Sequence, residues 1–344
     1  MANIYDVGKR AGVSVATVSA VINKSSYVSP QLREKVERAI AELKYSPNHL
    51  ARSLAQRKTH TIGIIIPDIA NPFFPEIIRG AEDRAHRAGY TVILGNSDNQ
   101  VSKEELYLNL FLSKRVDGIL LTKAAGDMNT TLFETLRLSS PPIVLVDREY
   151  PKLQADTVVA DDSGGAYAAT QYLLKLGHRR IGIVTGISGT STTEGRLLGY
   201  REALASRGIE FAPSLVAEGD YGVKSGEIAG AQLLDQHPSA VFVTNCMMTI
   251  GFMKALEKRS LCCPQDIAVV SYDDVVWNEV FQPKLTCIAQ PKYQLGYRGA
   301  DILISRIQGK HKRPKLEVLK NDLIVRGSCG QAVGRAPRLI ADRA

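Results

Sequence analysis

The run Thr61-Ile62-Gly63-Ile64-Ile65-Ile66-Pro67 is the feature that most constrains what this chain can fold into. Between Thr61 and Pro67 no side chain is polar, so a strand built from it has no face suited to water. A strand buried on both faces belongs inside a parallel sheet that is covered by helices on both sides. The following residues have helical period from Phe73 to about Ala88, with Gly89 as the C-terminal stop, and a second strand is expected at Thr91–Leu94. The alternation continues, with further strands predicted at Gly118–Leu121, Ile143–Val146, Ile181–Val184, Val241–Thr244 and Ile267–Tyr272. This pattern predicts a doubly wound α/β body. Arg180-Ile181-Gly182-Ile183 echoes Thr61-Ile62-Gly63-Ile64, which predicts two similar halves with a cleft between them. A body of roughly 270 residues is also larger than one core usually grows.

The segment before Thr61 is of another kind. Ile4, Val7 and Ala11, then Val15, Val18 and Ile22, recur at spacings of three and four, the period of two short amphipathic helices. Gly12 separates them and Ser14 is placed to cap the second. A third helix begins with Ser29 as cap and Pro30 in its first turn, and Leu32, Val36, Ala39, Ile40 and Leu43 line one face. Two short helices joined by a glycine turn are the layout of a helix-turn-helix, whose second helix enters the DNA major groove. The charge agrees: residues 1–60 carry ten Lys/Arg against four Asp/Glu, in a chain of net charge +8. A basic head on a body of balanced charge points to phosphate binding by the head.

Other classes are disfavoured. The five cysteines are odd in number and show no CxxC spacing, so neither zinc nor a disulfide framework is expected, and a reducing cytoplasm is. No signal-like apolar segment opens the chain, and no run of about 18 apolar residues occurs, so no membrane span is expected. No GxGxxG follows the first strand, and no P-loop, metal cluster or Ser/His/Asp set emerges, so the chain is not expected to be an enzyme and no cofactor is expected.

Motifs then accumulate in a familiar order. Asp6-Val7, Ala11-Gly12-Val13-Ser14, Thr17-Val18-Ser19 and Asn23 are followed by Val28-Ser29, Tyr45-Ser46-Pro47-Asn48 and Ala51-Arg52-Ser53-Leu54. The body adds Asn71-Pro72-Phe73-Phe74, Val116-Asp117-Gly118, Val146-Asp147-Arg148, Leu176-Gly177-His178-Arg179-Arg180-Ile181, Gly195-Arg196-Leu197, Gly199-Tyr200 and Asp273-Asp274. Over about residues 3–328 the chain resembles the lac repressor family of bacterial transcription regulators. The resemblance implies an all-α helix-turn-helix head over residues 1–45, a hinge helix or linker over 46–60, and an α/β body over 61–328 of the two-lobed, periplasmic-binding-protein-like kind with doubly wound parallel sheets. The lobes are expected at about 61–160 with 291–321, and at 162–289 with 322–328, leaving 329–344 as a disordered tail. It further implies a homodimer or tetramer on a palindromic double-stranded operator, and a small effector, most simply a sugar or sugar derivative, between the lobes. A purine-type corepressor-dependent or global regulator is the alternative within the family. A sugar-binding transport receptor shares the body but lacks the head.

In the head, Ser14, Thr17 and Ser19 offer hydroxyls to phosphate. By resemblance Val15, Ala16 and Ala20 occupy base-reading positions, where these small apolar side chains can touch thymine methyls but provide no arginine fork for guanine. Ile4, Tyr5, Asp6, Asn23 and Tyr27 complete the expected DNA surface, together with Asn48, Ala51, Arg52 and Leu54 of the hinge. The leucine aligned with Leu54 is the family's minor-groove wedge. In the body, polar residues at strand ends mark the cleft: Asp68, Asp147, Arg148, Asn245 and Asp273, with Arg196 opening a helix after a glycine-rich loop. Phe73, Phe74 and Tyr221 supply rings. Asn245-Cys246 stands where the family commonly has Asn-Asp, so one acidic group is lost.

Overall fold

The computed structural model describes residues 2–23, 26–45, 58–138, 141–310 and 313–330. The chain divides into two compact units, residues 1–59 and 60–344.

In the first unit, α1 (Ile4–Ala11) starts from a reciprocal cap: Asn3 Oδ1 accepts from the amides of Tyr5 and Asp6, and Asp6 Oδ2 accepts from the Asn3 amide at 2.9 Å. Gly12 ends the helix at φ +64°, a conformation that suits glycine. α2 (Val15–Asn23) and α3 (Pro30–Glu42) follow, and Ser29 caps α3. Val7, Val18, Val21, Val28, Val36 and Ala39 form the buried core, and Ile22 packs against it only in part. The helical repeat predicts Val15 and Ile22 on the inner face, but the buried position is Val21: α2 is turned so that Val15 stays outside the cluster.

The second unit begins with β1 (Thr61–Ile66), α4 (Phe73–Arg87), β2 (Thr91–Asn96), α5 (Val101–Ser113), β3 (Gly118–Leu121), α6 (Thr130–Leu138), β4 (Ile143–Val146) and β5 (Asp156–Ala160). It continues through α7 (Asp162–Lys175), β6 (Ile181–Thr185), α8 (Ser191–Ala205), β7 (Val216–Glu218), α9 (Val223–Leu234), β8 (Ala240–Val243), α10 (Cys246–Lys258), β9 (Ala268–Tyr272) and β10 (Thr286–Ala289). α11 (Lys292–Ile307), β11 (Leu316–Leu319) and β12 (Asp322–Ile324) close it. Two six-stranded sheets result among the described residues, in the orders β11-β5-β4-β3-β1-β2 and β12-β10-β9-β8-β6-β7. All neighbours are parallel except β10 and β12. The chain passes between the lobes at Asp161, at Gln290-Pro291 and at Lys320-Asn321.

β1 is buried from Ile62 to Ile66, as its two-faced apolar sequence requires. α4 and α11 cross so closely that a Cβ on Gly80 would stand 2.0 Å from the Tyr293 carbonyl oxygen, and one on Gly296 would stand 1.8 Å from that of Ile77. Five strands lie outside the predicted set: β5, β7, β10, β11 and β12. β7 and β12 have three residues each, and β11 is a half-exposed edge strand, so none carries a long apolar run. The tail boundary also moves. Cys329, expected at its start, is 2% exposed and packs in the second lobe's core. No described helix is long and apolar enough to cross a membrane.

Candidate ligand cleft and nucleic-acid interface

Asp68, Phe73, Phe74, Asp147, Arg148, Arg196, Tyr221, Asn245 and Asp273 all line one cavity of about 300 Å³, with both lobes contributing. Asn71, Asp98, Asn99, Thr192, Asp220 and Gln290 also line it. These residues follow β1, β2, β4, β6, β7, β8, β9 and β10, so the cavity sits at the carboxyl ends of strands from both sheets.

The second lobe's arginine is pinned on three sides. Arg196 does not open α8; it is the sixth residue, one and a half turns in. That depth aims it across the helix onto α7: Nε donates to Asp162 Oδ1 at 2.7 Å, Nη1 donates to the Thr244 carbonyl at 2.7 Å, and the guanidinium lies 3.9 Å from the Tyr272 ring centroid. Burial raises the Asp162 carboxyl, and Arg196 opposes that rise. Asn245 caps α10 by accepting from the amides of Met247 and Met248. Asp273 accepts from Gln290 Nε2 at 2.7 Å, and Gln290 Oε1 is left buried with no partner.

The first lobe's arginine is held on one side. Arg148 Nη1 donates to Asn99 Oδ1 at 2.7 Å and to the Lys123 carbonyl at 2.9 Å, while Nε is buried without a hydrogen bond. Asp147 beside it is 5% exposed, and its nearest cation is Arg148 Nε at 3.9 Å. Burial pushes the Asp147 carboxyl up to about 7, with the Asp162 and Asp273 charges adding and Arg148 opposing. Behind them, Lys123 Nζ lies 2.8 Å from Glu104 Oε1 in an ion pair whose side chains are 4% and 0% exposed.

Five cleft residues take the left-handed backbone region: Asp98 at φ 49°, Asn99 at φ 55°, Asp147 at φ 71°, Tyr221 at φ 69° and Asp273 at φ 70°. Such conformations cost about 1–3 kcal/mol each and concentrate at ligand-binding sites. The Tyr221 hydroxyl sits 2.9, 3.1 and 2.8 Å from the hydroxyls of Thr190, Thr192 and Thr193, and its ring meets Arg148 across the lobes at 5.3 Å. Cys246, in place of the family's acid, points its sulfur at Asn71 Oδ1 of the other lobe at 3.7 Å, and burial pushes its thiol up. Lys292 ties the same lobes, 2.7 Å from Glu76 Oε1 and 2.7 Å from the Asp274 carbonyl.

Sequence reasoning missed Asp98, Asn99, Thr192, Asp220 and Gln290 as lining residues, and Asp162 as the anchor of Arg196. Asp220 and Gln290 follow β7 and β10, so recognising those strands would have marked both. Nothing local in the sequence pairs Asp162 with a residue 34 positions away. No described group of His, Cys, Asp and Glu could hold a metal ion.

In the head, Ser14 Oγ accepts from the Thr17 amide at 3.2 Å and lies 3.0 Å from Thr17 Oγ1, so it caps α2. The first amides of that helix precede its intrahelical bonds and suit a phosphate. Ala16 is exposed, Val15, Thr17, Ser19 and Asn23 are half-buried, and Asn23 Nδ2 donates to Ser19 Oγ at 3.0 Å. Tyr5 and Tyr27 are 72% and 88% exposed. Ile4 and Ala20 pack in part against the head core, and the Asp6 carboxylate is engaged in the α1 cap. Asn48, Ala51, Arg52 and Leu54 lie outside the described residues.

The comparisons with known proteins cover both units. Residues 3–48 match the model of bacterial regulatory proteins of the lacI family, and residues 59–324 match that of periplasmic binding proteins and the sugar-binding domain of the LacI family. The HTH-type transcriptional repressor PurR of Vibrio campbellii is 37% identical over 331 residues, covering 95% of this chain and 98% of the relative. The HTH-type transcriptional repressor CytR of Escherichia coli K12 is 35% identical, covering 95% and 96%. Among solved structures, the lac repressor dimer bound to operator and the anti-inducer ONPF superposes with a TM-score of 0.85 at 29% identity, covering 96% of this chain and 99% of that one. A transcriptional regulator CelR–cellobiose complex gives 0.73 at 34%, covering 95% and 100%.

Proposed function

The chain belongs to the lacI family of bacterial regulatory proteins and is a DNA-binding transcriptional regulator, and from that premise we propose that it is a homodimeric repressor of carbohydrate-related genes, switched by a polyhydroxylated effector in the Arg148–Arg196 cleft. The observation that carries this reading is the cavity itself, with carboxylates, amides, two guanidiniums and aromatic rings from both lobes around one space. Carboxylates and amide oxygens accept from ligand hydroxyls, guanidiniums donate to ligand oxygens, and a ring covers an apolar sugar face. A ligand that touches both lobes binds one lobe arrangement better than another, and only that difference can shift the protein between states. The α2 surface around Ser14, Ala16 and Thr17 reads each operator half, and Leu54 wedges into the minor groove at its centre.

The test is fluorescence anisotropy on a palindromic duplex selected from a random pool, with and without sugars, nucleosides and purine bases. A sugar that changes operator affinity supports the reading, and a response to purine bases alone replaces it with the purine-type alternative. The sign separates induction from corepression. Leu54→Ala is expected to lose operator affinity while keeping effector binding; unchanged operator affinity removes the wedge.

A further inference from the structure

The cleft lining carries more carboxylates than cations. Five of its lining residues are aspartates, namely Asp68, Asp98, Asp147, Asp220 and Asp273, against two arginines. Both arginines have already committed donors to protein acceptors: Arg196 to Asp162 and the Thr244 carbonyl, Arg148 to Asn99 and the Lys123 carbonyl. Asp98 is satisfied by Lys103 and Asn96, Asp220 by the Gly222 amide, and Asp68 by the Ala70 amide. Two acceptors remain. Asp147 is 5% exposed, with no hydrogen-bond donor in range among the described residues and Arg148 Nε 3.9 Å away. Gln290 is 6% exposed, gives its Nε2 to Asp273, and leaves Oε1 buried and unpartnered.

A buried acceptor without a donor is costly, and a buried carboxylate more so. An anionic ligand would add negative charge among these aspartates. A hydroxyl supplies one donor and no charge. An ammonium supplies three donors and the charge that two neighbouring carboxylates lack.

Resting on the effector reading above, we propose that the effector carries a protonated amine on a polyhydroxylated frame, as an amino sugar does, with the ammonium seated at Asp147, and that sugar phosphates and sugar acids are excluded. The raised Asp147 carboxyl fits this placement, since a cation beside it restores the charge that burial suppresses.

The experiment is calorimetry on the full chain at neutral pH with matched sets: glucose, glucosamine and glucose 6-phosphate, and the same three forms of galactose and mannose. The amino member of at least one set is expected to bind about tenfold more tightly than its neutral partner, with no binding by the phosphate member. Asp147→Asn is expected to abolish that preference. A neutral or phosphorylated member that binds best overturns the proposal and leaves the sugar-effector reading standing. If no member of any set binds, both are overturned. A preference for the amine that survives in Asp147→Asn overturns the seat at Asp147.

Discussion

The two lobes share a six-stranded plan and each brings one arginine to the cleft, yet they hold these arginines in opposite ways. In the second lobe Arg196 has a carboxylate at 2.7 Å, a carbonyl at 2.7 Å and a ring at 3.9 Å. In the first, Arg148 has no carboxylate nearer than 3.9 Å and keeps a buried Nε without a hydrogen bond. One wall is therefore set before a ligand arrives, and the other retains unsatisfied bonding capacity. Preorganised groups fix orientation at little cost on binding, whereas unsatisfied ones gain most when a ligand completes them. The lobes also differ in where their charge is compensated. The first keeps its close buried ion pair at Glu104 and Lys123, behind the cleft, and gives Asp147 only the longer contact of 3.9 Å to Arg148.

The comparison breaks most sharply at the arginines. Arg196→Met strands the Asp162 carboxylate, and removing one partner of a buried pair costs about 3–5 kcal/mol. Arg148→Met leaves no carboxylate in contact and costs about 1–3 kcal/mol through the acceptors on Asn99 and Lys123 that it vacates. Urea unfolding of the two variants is expected to rank them in that order, and Asp162→Asn is expected to recover part of the Arg196→Met loss. Equal costs would mean that the lobes hold their arginines alike. Lys123→Met is the counterpart in the first lobe. It leaves Glu104 buried and uncompensated, at about 3–5 kcal/mol, and adding Glu104→Gln is expected to restore most of it.

The second test is the pH dependence that Asp147 imposes. Its folded value of about 7 lies above the ordinary 3.8. A carboxyl raised on folding binds its proton more tightly in the native state, so its contribution is full below about pH 4 and is lost as pH rises through 7. The amount is roughly 2–4 kcal/mol. Asp147→Asn mimics the protonated form, so its stability is expected to match the parent at low pH and exceed it at alkaline pH. Chemical denaturation across that range checks this. A variant that is less stable than its parent at alkaline pH would mean that Asp147 is compensated after all.

The difference between the lobes was not legible in the sequence, although their plan was. Ile62 to Ile66 announces a buried strand because every position is apolar, and Asp147 and Arg148 after β4, Asn245 after β8 and Asp273 after β9 stand at strand ends that can be read by eye. β11 alternates exposed and half-buried positions at a sheet edge, so Leu316-Glu317-Val318-Leu319 resembles a loop. Gln290 was lost with β10. The pinning of Arg196 depends on α7 crossing α8, a tertiary event that leaves no local trace. In the head, a rotation of α2 that buries Val21 rather than Ile22 lies within the tolerance of a helical repeat read over two turns.

The smallest expected effect concerns Tyr221, where the lobes touch. Its hydroxyl serves three threonines within the second lobe, and its ring faces Arg148 of the first at 5.3 Å. Two substitutions separate these roles. Tyr221→Phe removes the hydroxyl and keeps the ring. It is expected to cost about 1 kcal/mol of stability, because the threonine hydroxyls can still bond one another or water. Tyr221→Leu also removes the ring, and the difference between the two variants measures the contact across the lobes, about 0.5–2 kcal/mol for a largely desolvated guanidinium. Because Arg148 has few other partners, that difference is expected to vanish in an Arg148→Met background. A difference that persists there would place the value of the ring within the second lobe, and the unsatisfied side of Arg148 would then be free of the partner lobe altogether.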